Sequence, residues 1–185
     1  FTVFCVWSWD NLTSKALVRT MPDRVMVWNE IQKREAMTLH HVPPERVIVT
    51  GAQNFDHWFE RSPASDRGAF CQKVGLPDTR PFILWVCSAL FRGGEPEAPF
   101  VRRWIEALRD SGDPMLRDAG ILVRPHPSRL KEWSTVSLEG LGPVALYGAN
   151  PIDPFSQADY FDSLYHSRAV VGLNTRSLIR RSGRG

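Results

Sequence analysis

Short apolar runs alternate along this chain with segments whose apolar residues recur at helical spacing. Residues 1–7, 24–28 and 46–51 read as strands, rich in Val, Ile, Phe and Trp and of the length that suits a buried strand. A helix is predicted from an Asn29 cap to about residue 41, with Ile31, Ala36, Met37 and Leu39 apolar among Lys33, Arg34 and Glu35. Pro43 and Pro44 end it. Phe55, Trp58 and Phe59 then form a short apolar turn. Residues 61–80 read as a linker holding a short helix, capped by Ser65, with Phe70 and Val74 turned inward. The pattern then restarts: strands over 82–87, 121–123, 144–147 and 169–173, helices over 99–111 and 157–167, and a helix opening at 174–177.

Strand–helix alternation with short links predicts parallel sheets with helices on both faces. The fold class expected is therefore α/β, with two Rossmann-like sheets, each unfinished. Three strands precede residue 61 and four follow residue 80. The chain opens on Phe1 inside an apolar run and closes on Arg180-Arg181-Ser182-Gly183-Arg184-Gly185. It is thus expected to be an internal piece of a longer protein.

Composition changes this picture little. Of 185 residues, 43% are apolar and 23% charged, the balance of an ordinary globular domain. The net charge of +3 is spread along the chain apart from the tail, which favours an anionic ligand weakly and does not imply specific nucleic-acid binding. Cys5, Cys71 and Cys87 are far apart, with no CxxC pair or His/Cys cluster, so no zinc signature is present and a reduced, cytoplasmic setting is expected. Cys5 and Cys87 fall in strands expected to be buried. No apolar run approaches the roughly 18–20 residues of a transmembrane span. Peripheral membrane association is compatible with all of this. There is no P-loop and no glycine-rich dinucleotide fingerprint.

The stretch Gly120-Ile121-Leu122-Val123-Arg124-Pro125-His126-Pro127 carries the most chemistry. An apolar strand runs into Arg-Pro-His-Pro, where proline removes a donor and fixes φ. That exit presents Arg124 and His126 at the carboxyl end of a strand, the edge at which open α/β sheets bind ligands. A guanidinium and an imidazole there suit phosphate. The bland reading makes Arg124 an ordinary ion-pair partner and His126 a loop histidine. Asn174 and Thr175 cap a helix in either case, and Asp10 with Asn11 caps a turn in the bland reading. His40-His41 reads as a solvated helix C-terminus. Trp7, Trp28, Trp85 and Trp104 read as core, and Trp9 and Trp58 as loop residues able to stack on a ligand.

Two Rossmann-like domains joined by a linker resemble the GT-B glycosyltransferase architecture. The segment Asp159-Tyr160-Phe161-Asp162-Ser163-Leu164-Tyr165-His166-Ser167, followed by Val170-Val171-Gly172-Leu173-Asn174-Thr175, resembles its donor-binding half. The Arg-Pro-His-Pro corner resembles the Arg/Lys-x-His-Pro corner of CDP-glycerol glycerophosphotransferases and related capsule-polysaccharide enzymes. The front end, Ser8-Trp9-Asp10-Asn11 through Val25, Trp28-Asn29-Glu30 and Val49-Thr50-Gly51-Ala52, resembles the last part of an acceptor domain. The resemblance implies residues 1–60 as the C-terminal part of the acceptor domain, 61–80 as linker and 81–185 as the N-terminal part of the donor domain. Relatives continue past the Asn-Thr corner with an acidic residue and a Gly-Arg-Pro turn, whereas this chain reads Arg176-Ser177-Leu178-Ile179-Arg180.

The implied chemistry is transfer of a glycosyl or glycerophosphoryl group from a nucleotide-activated sugar or CDP-glycerol to a glycan or lipid-linked acceptor, in cell-envelope or capsule polysaccharide synthesis. The donor is substrate rather than cofactor, and no metal is implied, since cations and helix N-termini stabilise the leaving diphosphate. Ser88, Arg124, His126, Asn174 and Thr175 are the expected donor contacts. His126 and Asp10 are the expected catalytic groups, Asp10 as acceptor-side base. One alternative is a non-hydrolysing sugar-nucleotide 2-epimerase, which needs acidic and His residues flanking the sugar. The other is an inactive fragment that binds polyanions non-specifically, with the steep salt dependence of counterion release.

Overall fold

The computed structural model describes residues 1–6, 18–89, 96–148 and 153–173. The chain forms two compact units, Phe1–Arg61 and Ser62–Gly185. In the first, β1 (Val3–Cys5), β2 (Arg24–Val27) and β3 (Val47–Val49) make a parallel sheet in that order. Helix α1 (Glu30–Leu39) links β2 to β3. Asn29 caps it as expected, its side chain accepting from the Gln32 N–H.

The buried face of α1 differs from the expectation. Ile31 and Leu39 are exposed, while Ala36 and the polar Gln32 are buried. Gln32 is tolerated because its Oε1 accepts the Trp28 N–H at 2.8 Å. His40, expected to be solvated, is buried and accepts the Val18 N–H through Nδ1. Strand β1, expected to be buried, is exposed along its length together with Cys5, because it is an edge strand paired on one side only. The core of this unit is Val6, Val25, Val27, Ala36, Val42 and Val47.

The second unit holds a four-stranded parallel sheet: β4 (Phe82–Val86), β5 (Gly120–Arg124), β6 (Val144–Leu146) and β7 (Ala169–Val171), in the order β6-β5-β4-β7. All five residues of β4 and all five of β5 are buried, as a strand covered on both faces requires. Successive side chains alternate between faces. Ile83, Trp85, Ile121 and Val123 pack with Ala98, Val101 and Ile105 of α4 (Glu97–Arg109) and with Trp133. On the opposite face Phe82 stacks on Phe70 of α3 (Arg67–Val74), ring centroids 6.1 Å apart. Each such aliphatic or aromatic side chain contributes about 1.5–3 kcal/mol on burial. Helix α6 (Pro154–His166) begins three residues earlier than the pattern predicts, because Asp153 caps it through Ser156.

The segment expected to act as linker carries core residues of the second unit. Phe70, Cys71, Val74 and Leu76 are buried. Its helix is capped by Asp66 rather than Ser65. Ser65 instead faces α6, where the buried carboxylate of Asp162 accepts from the Ala64 N–H, the Ser65 N–H and the Ser65 hydroxyl at 2.9, 3.1 and 2.6 Å. His166 completes the anchor, its Nε2 lying 2.8 Å from the Ser65 carbonyl. Removing one partner of such a set strands buried donors. Asp162→Ala is therefore expected to lower unfolding stability by roughly 2–4 kcal/mol, read by urea denaturation; an unchanged midpoint would show the anchor to be unimportant.

Candidate functional site

The four strands of the second sheet run in one direction, so their carboxyl ends form one edge. The chain steps outward from β4 to β5 to β6, then returns to place β7 on the other side of β4. Such a reversal marks a switch point at the carboxyl ends of β4 and β7, where doubly wound sheets usually hold a ligand crevice. Ser88 leaves β4 at this point, and Arg124 and His126 lie on the neighbouring exit of β5. Asp10, Asn174 and Thr175 lie outside the described residues.

His126 takes part in a local cap. It caps the following 3-10 segment, Pro127–Thr135, by accepting the Ser128 N–H at Nδ1. The Ser128 hydroxyl also lies 2.8 Å from Nδ1. Because a backbone N–H can only donate, Nδ1 is the unprotonated nitrogen, and the neutral ring carries its proton on Nε2. The tautomer is thus set by the cap, and Nε2–H takes no part in it.

Arg124 sits differently from the sequence picture. It is 4% exposed and belongs to the α6 face of the sheet. Its Nη1 donates to the Ser163 hydroxyl at 2.7 Å and approaches the Asp159 carbonyl at 3.4 Å. Tyr160 and Tyr147 flank the guanidinium at 5.2 and 5.9 Å from their ring centroids. The Asp159 carboxylate, the nearest acid on α6, is taken by the Tyr147 hydroxyl at 2.9 Å and by Lys73. Burial lowers the Arg124 pKa from its ordinary value, and Tyr160, Asp159 and Tyr147 oppose that. Its Nη2 is buried without a hydrogen-bond partner among the described residues.

One glycine is dictated by this arginine. Gly148, just past β6, has φ +126°, and a Cβ there would sit 2.6 Å from Arg124 Cζ and Nη2. A side chain at 148 is excluded by both the backbone and the guanidinium. Gly148→Ala is expected to cost roughly 2–4 kcal/mol of stability by thermal or chemical denaturation. A variant as stable as the parent would mean that Arg124 does not occupy this position.

Ser88 is 97% buried in the sense that only 3% is exposed. Its N–H, expected to face an anion, is already taken by the protein's own carboxylate: Glu97 accepts it at 3.0 Å (Oε2) and 3.3 Å (Oε1). Only the Ser88 hydroxyl remains, buried and without a partner among the described residues.

Glu97 is the residue that sequence reasoning missed. The helix was expected to begin at Pro99, which hid an acid at its first turn. Helix α4 starts two residues earlier, with Glu97 itself 2% exposed. Its Oε1 also accepts the Trp85 indole N–H at 3.2 Å. The Glu97 backbone N–H donates to Glu132 Oε2 at 3.1 Å, and Glu132 Oε1 is held by Arg129. A signal was present in the sequence: an acid just after a proline at a helix start is a standard first-turn placement. The network ties the exit of β5, through residues 127–135, to the exit of β4.

Burial raises the Glu97 pKa, and the bonds from Ser88 and Trp85 only partly offset it. A carboxyl whose folded pKa is raised binds its proton more tightly in the native state. Its stabilising effect is full below the unfolded pKa and is lost as pH rises through the folded one. Glu97→Gln removes that loss. The melting temperature of the variant minus that of the parent is expected to be greater at pH 8 than at pH 5; a difference constant with pH would contradict the assignment.

Among the described residues, no group of three or more His, Cys, Asp or Glu is placed to hold a metal ion, and no helix is long and apolar enough to cross a membrane. The chain has the Rossmann-like α/β fold of GT-B proteins. UDP-GlcNAc 2-epimerase from Neisseria meningitidis, solved with UDP-GlcNAc, is similar with a TM-score of 0.60 and 16% identity, over 85% of this chain and 41% of that one. The UDP-GlcNAc 2-epimerase from Methanocaldococcus jannaschii is similar with a TM-score of 0.56 and 13% identity, over 86% of this chain and 44% of that one. The wall teichoic acid polymerase TagF gives a TM-score of 0.47 at 13% identity, over 86% and 36% of the two chains. The chain spans about two fifths of the length of the epimerases it matches. No protein-family model and no curated protein matches it.

Proposed function

We propose that the second unit binds the diphosphate of a nucleotide-activated donor at the carboxyl edge of its sheet, and that the whole protein transfers a glycosyl or glycerophosphoryl group in cell-envelope or capsule polysaccharide synthesis. The observation that carries the reading is His126, whose Nδ1 accepts the Ser128 N–H at a proline-bracketed strand exit and so leaves Nε2–H outside the cap. The unpartnered Ser88 hydroxyl supplies a second donor at the same edge. Arg124 acts through the field of its charge and by bracing β5 against α6, and its Nη2 has no hydrogen-bond partner among the described residues. Asn174 and Thr175, which follow β7, are proposed to close the site on its other side, and Asp10 to serve the acceptor. No metal enters this scheme: the leaving diphosphate is stabilised by fixed donors and cationic charge.

A 2-epimerase shares the fold, and the neighbouring epimerase structure holds UDP-GlcNAc. That reaction needs free acids and a histidine around the sugar ring. Among the described residues, the acids at this edge are committed elsewhere, Glu97 to Ser88 and Trp85, and Glu132 to Arg129 and the Glu97 N–H. The arrangement therefore favours the transferase reading.

A thermal-shift screen against CDP, UDP, GDP and inorganic phosphate tests the site. One nucleoside diphosphate is expected to raise the melting temperature, since binding to the native state alone stabilises by about 2.7 kcal/mol at a hundredfold excess over Kd. His126→Gln is expected to reduce that shift while leaving the unliganded melting temperature close to that of the parent. Equal shifts in parent and variant, or shifts that vanish at moderate salt for every anion alike, would argue for non-specific polyanion binding instead.

A further inference from the structure

We propose that a nucleoside diphosphate bound at this strand edge drives uptake of a proton by Glu97, so that Glu97 is a positioning residue whose charge is switched off when the site is occupied. The inference rests on the donor-site reading above. The Glu97 carboxylate accepts the N–H of Ser88, which leaves β4 beside the switch point, so a phosphate bound at that exit is brought toward a buried carboxylate. Two like charges brought together in a site of low polarity cannot both stay ionised, and the carboxylate is the one able to take a proton.

The geometry allows the neutral form while each N–H donor keeps an acceptor. Glu97 Oε1 alone lies within reach of both donors, Trp85 Nε1 at 3.2 Å and the Ser88 N–H at 3.3 Å. A proton on Oε2 therefore leaves both N–H groups with an acceptor, and the loop that carries Ser88 keeps its position. Among the described residues, Arg129 is the cation that opposes the rise in the Glu97 pKa. Arg129 is paired with Glu132. Glu132 adds a further negative charge at the Glu97 N–H. The Cys87 thiol, whose pKa is raised by burial and by Glu97, stays protonated. His126 is the competing proton acceptor, and protonating its Nδ1 would break the bond from Ser128.

Titration calorimetry of CDP and UDP in buffers of differing ionisation enthalpy, between pH 6 and 8, reads the proton directly. The parent chain is expected to take up more protons than Glu97→Gln, and its affinity to fall with rising pH, toward about tenfold per unit where uptake is complete. Protons accepted by the ligand's own terminal phosphate are common to both and cancel. His126→Gln should bind more weakly yet keep the uptake; if that variant loses it while Glu97→Gln retains it, the proton belongs to His126 and the inference is overturned. Equal uptake in parent and Glu97→Gln also overturns it. No binding of either diphosphate by the parent removes the donor-site reading itself, and this inference with it. A measurement on the parent chain needs no variant at position 97: the Trp85 indole N–H resonance should move on saturation with ligand in the direction that acid alone moves it, and movement the other way counts against the proposal.

Discussion

Strand β4 is the constraint from which the second unit is built. It pairs in parallel with β5 on one edge and β7 on the other, and all five of its residues are buried. A strand placed this way has no freedom of register, because a slip of one residue would exchange Phe82 and Leu84 with Ile83 and Trp85 between two differently shaped cores. Its end is therefore fixed, and Cys87 is held further by its N–H bond to the Arg124 carbonyl at 3.0 Å. Everything at the ligand edge inherits its position from this pairing. Ser88 follows β4 directly, His126 follows its partner, and β7 brings the other wall of the crevice.

Two ionisable side chains of opposite sign are buried beside that edge, on opposite faces of the sheet. Arg124 lies on the α6 face and Glu97 at the start of the helix covering the other. Among the described residues, neither has an opposite charge bonded to it. Burying an ionised group costs several kcal/mol even after relaxation, and each is compensated by neutral donors or acceptors: Ser163 and two aromatic faces for Arg124, Ser88 and Trp85 for Glu97. A pair joined directly would cost less, but the sheet lies between them. The arrangement resembles a site where charge is stored for a ligand more than one built for stability alone.

Much of this was legible in the chain itself. The parallel α/β class, the count of strands in each half and the corner at Arg-Pro-His-Pro follow from short apolar runs, intervening helical periods and proline brackets. His126 was readable because proline fixes where a strand must stop. What escaped the sequence depended on partners distant along the chain. Arg124 looked like a ligand contact, yet the alternation that puts Leu122 on the α6 face puts Arg124 there too, and only the packed helix supplies Ser163. Glu97 was hidden by a helix start placed two residues late. Gly148 carried no turn signature; its reason is the guanidinium across from it. Ser65 resembled a helix cap, and the buried carboxylate that claims it lies almost a hundred residues later.

The start of α4 shows why the absence of a glycine-rich fingerprint is informative. In dinucleotide-binding sheets the first helix offers its N-terminal N–H groups to a pyrophosphate, and glycines let that phosphate approach. Here the protein fills the position itself. Glu132 accepts the first N–H of α4, and the Glu97 carboxylate folds back onto the β4 exit. Two acids at one helix start complement its dipole. The absent dinucleotide fingerprint and the acid after Pro96 thus belong to one arrangement, in which the protein's own carboxylates meet the start of α4 and the exit of β4.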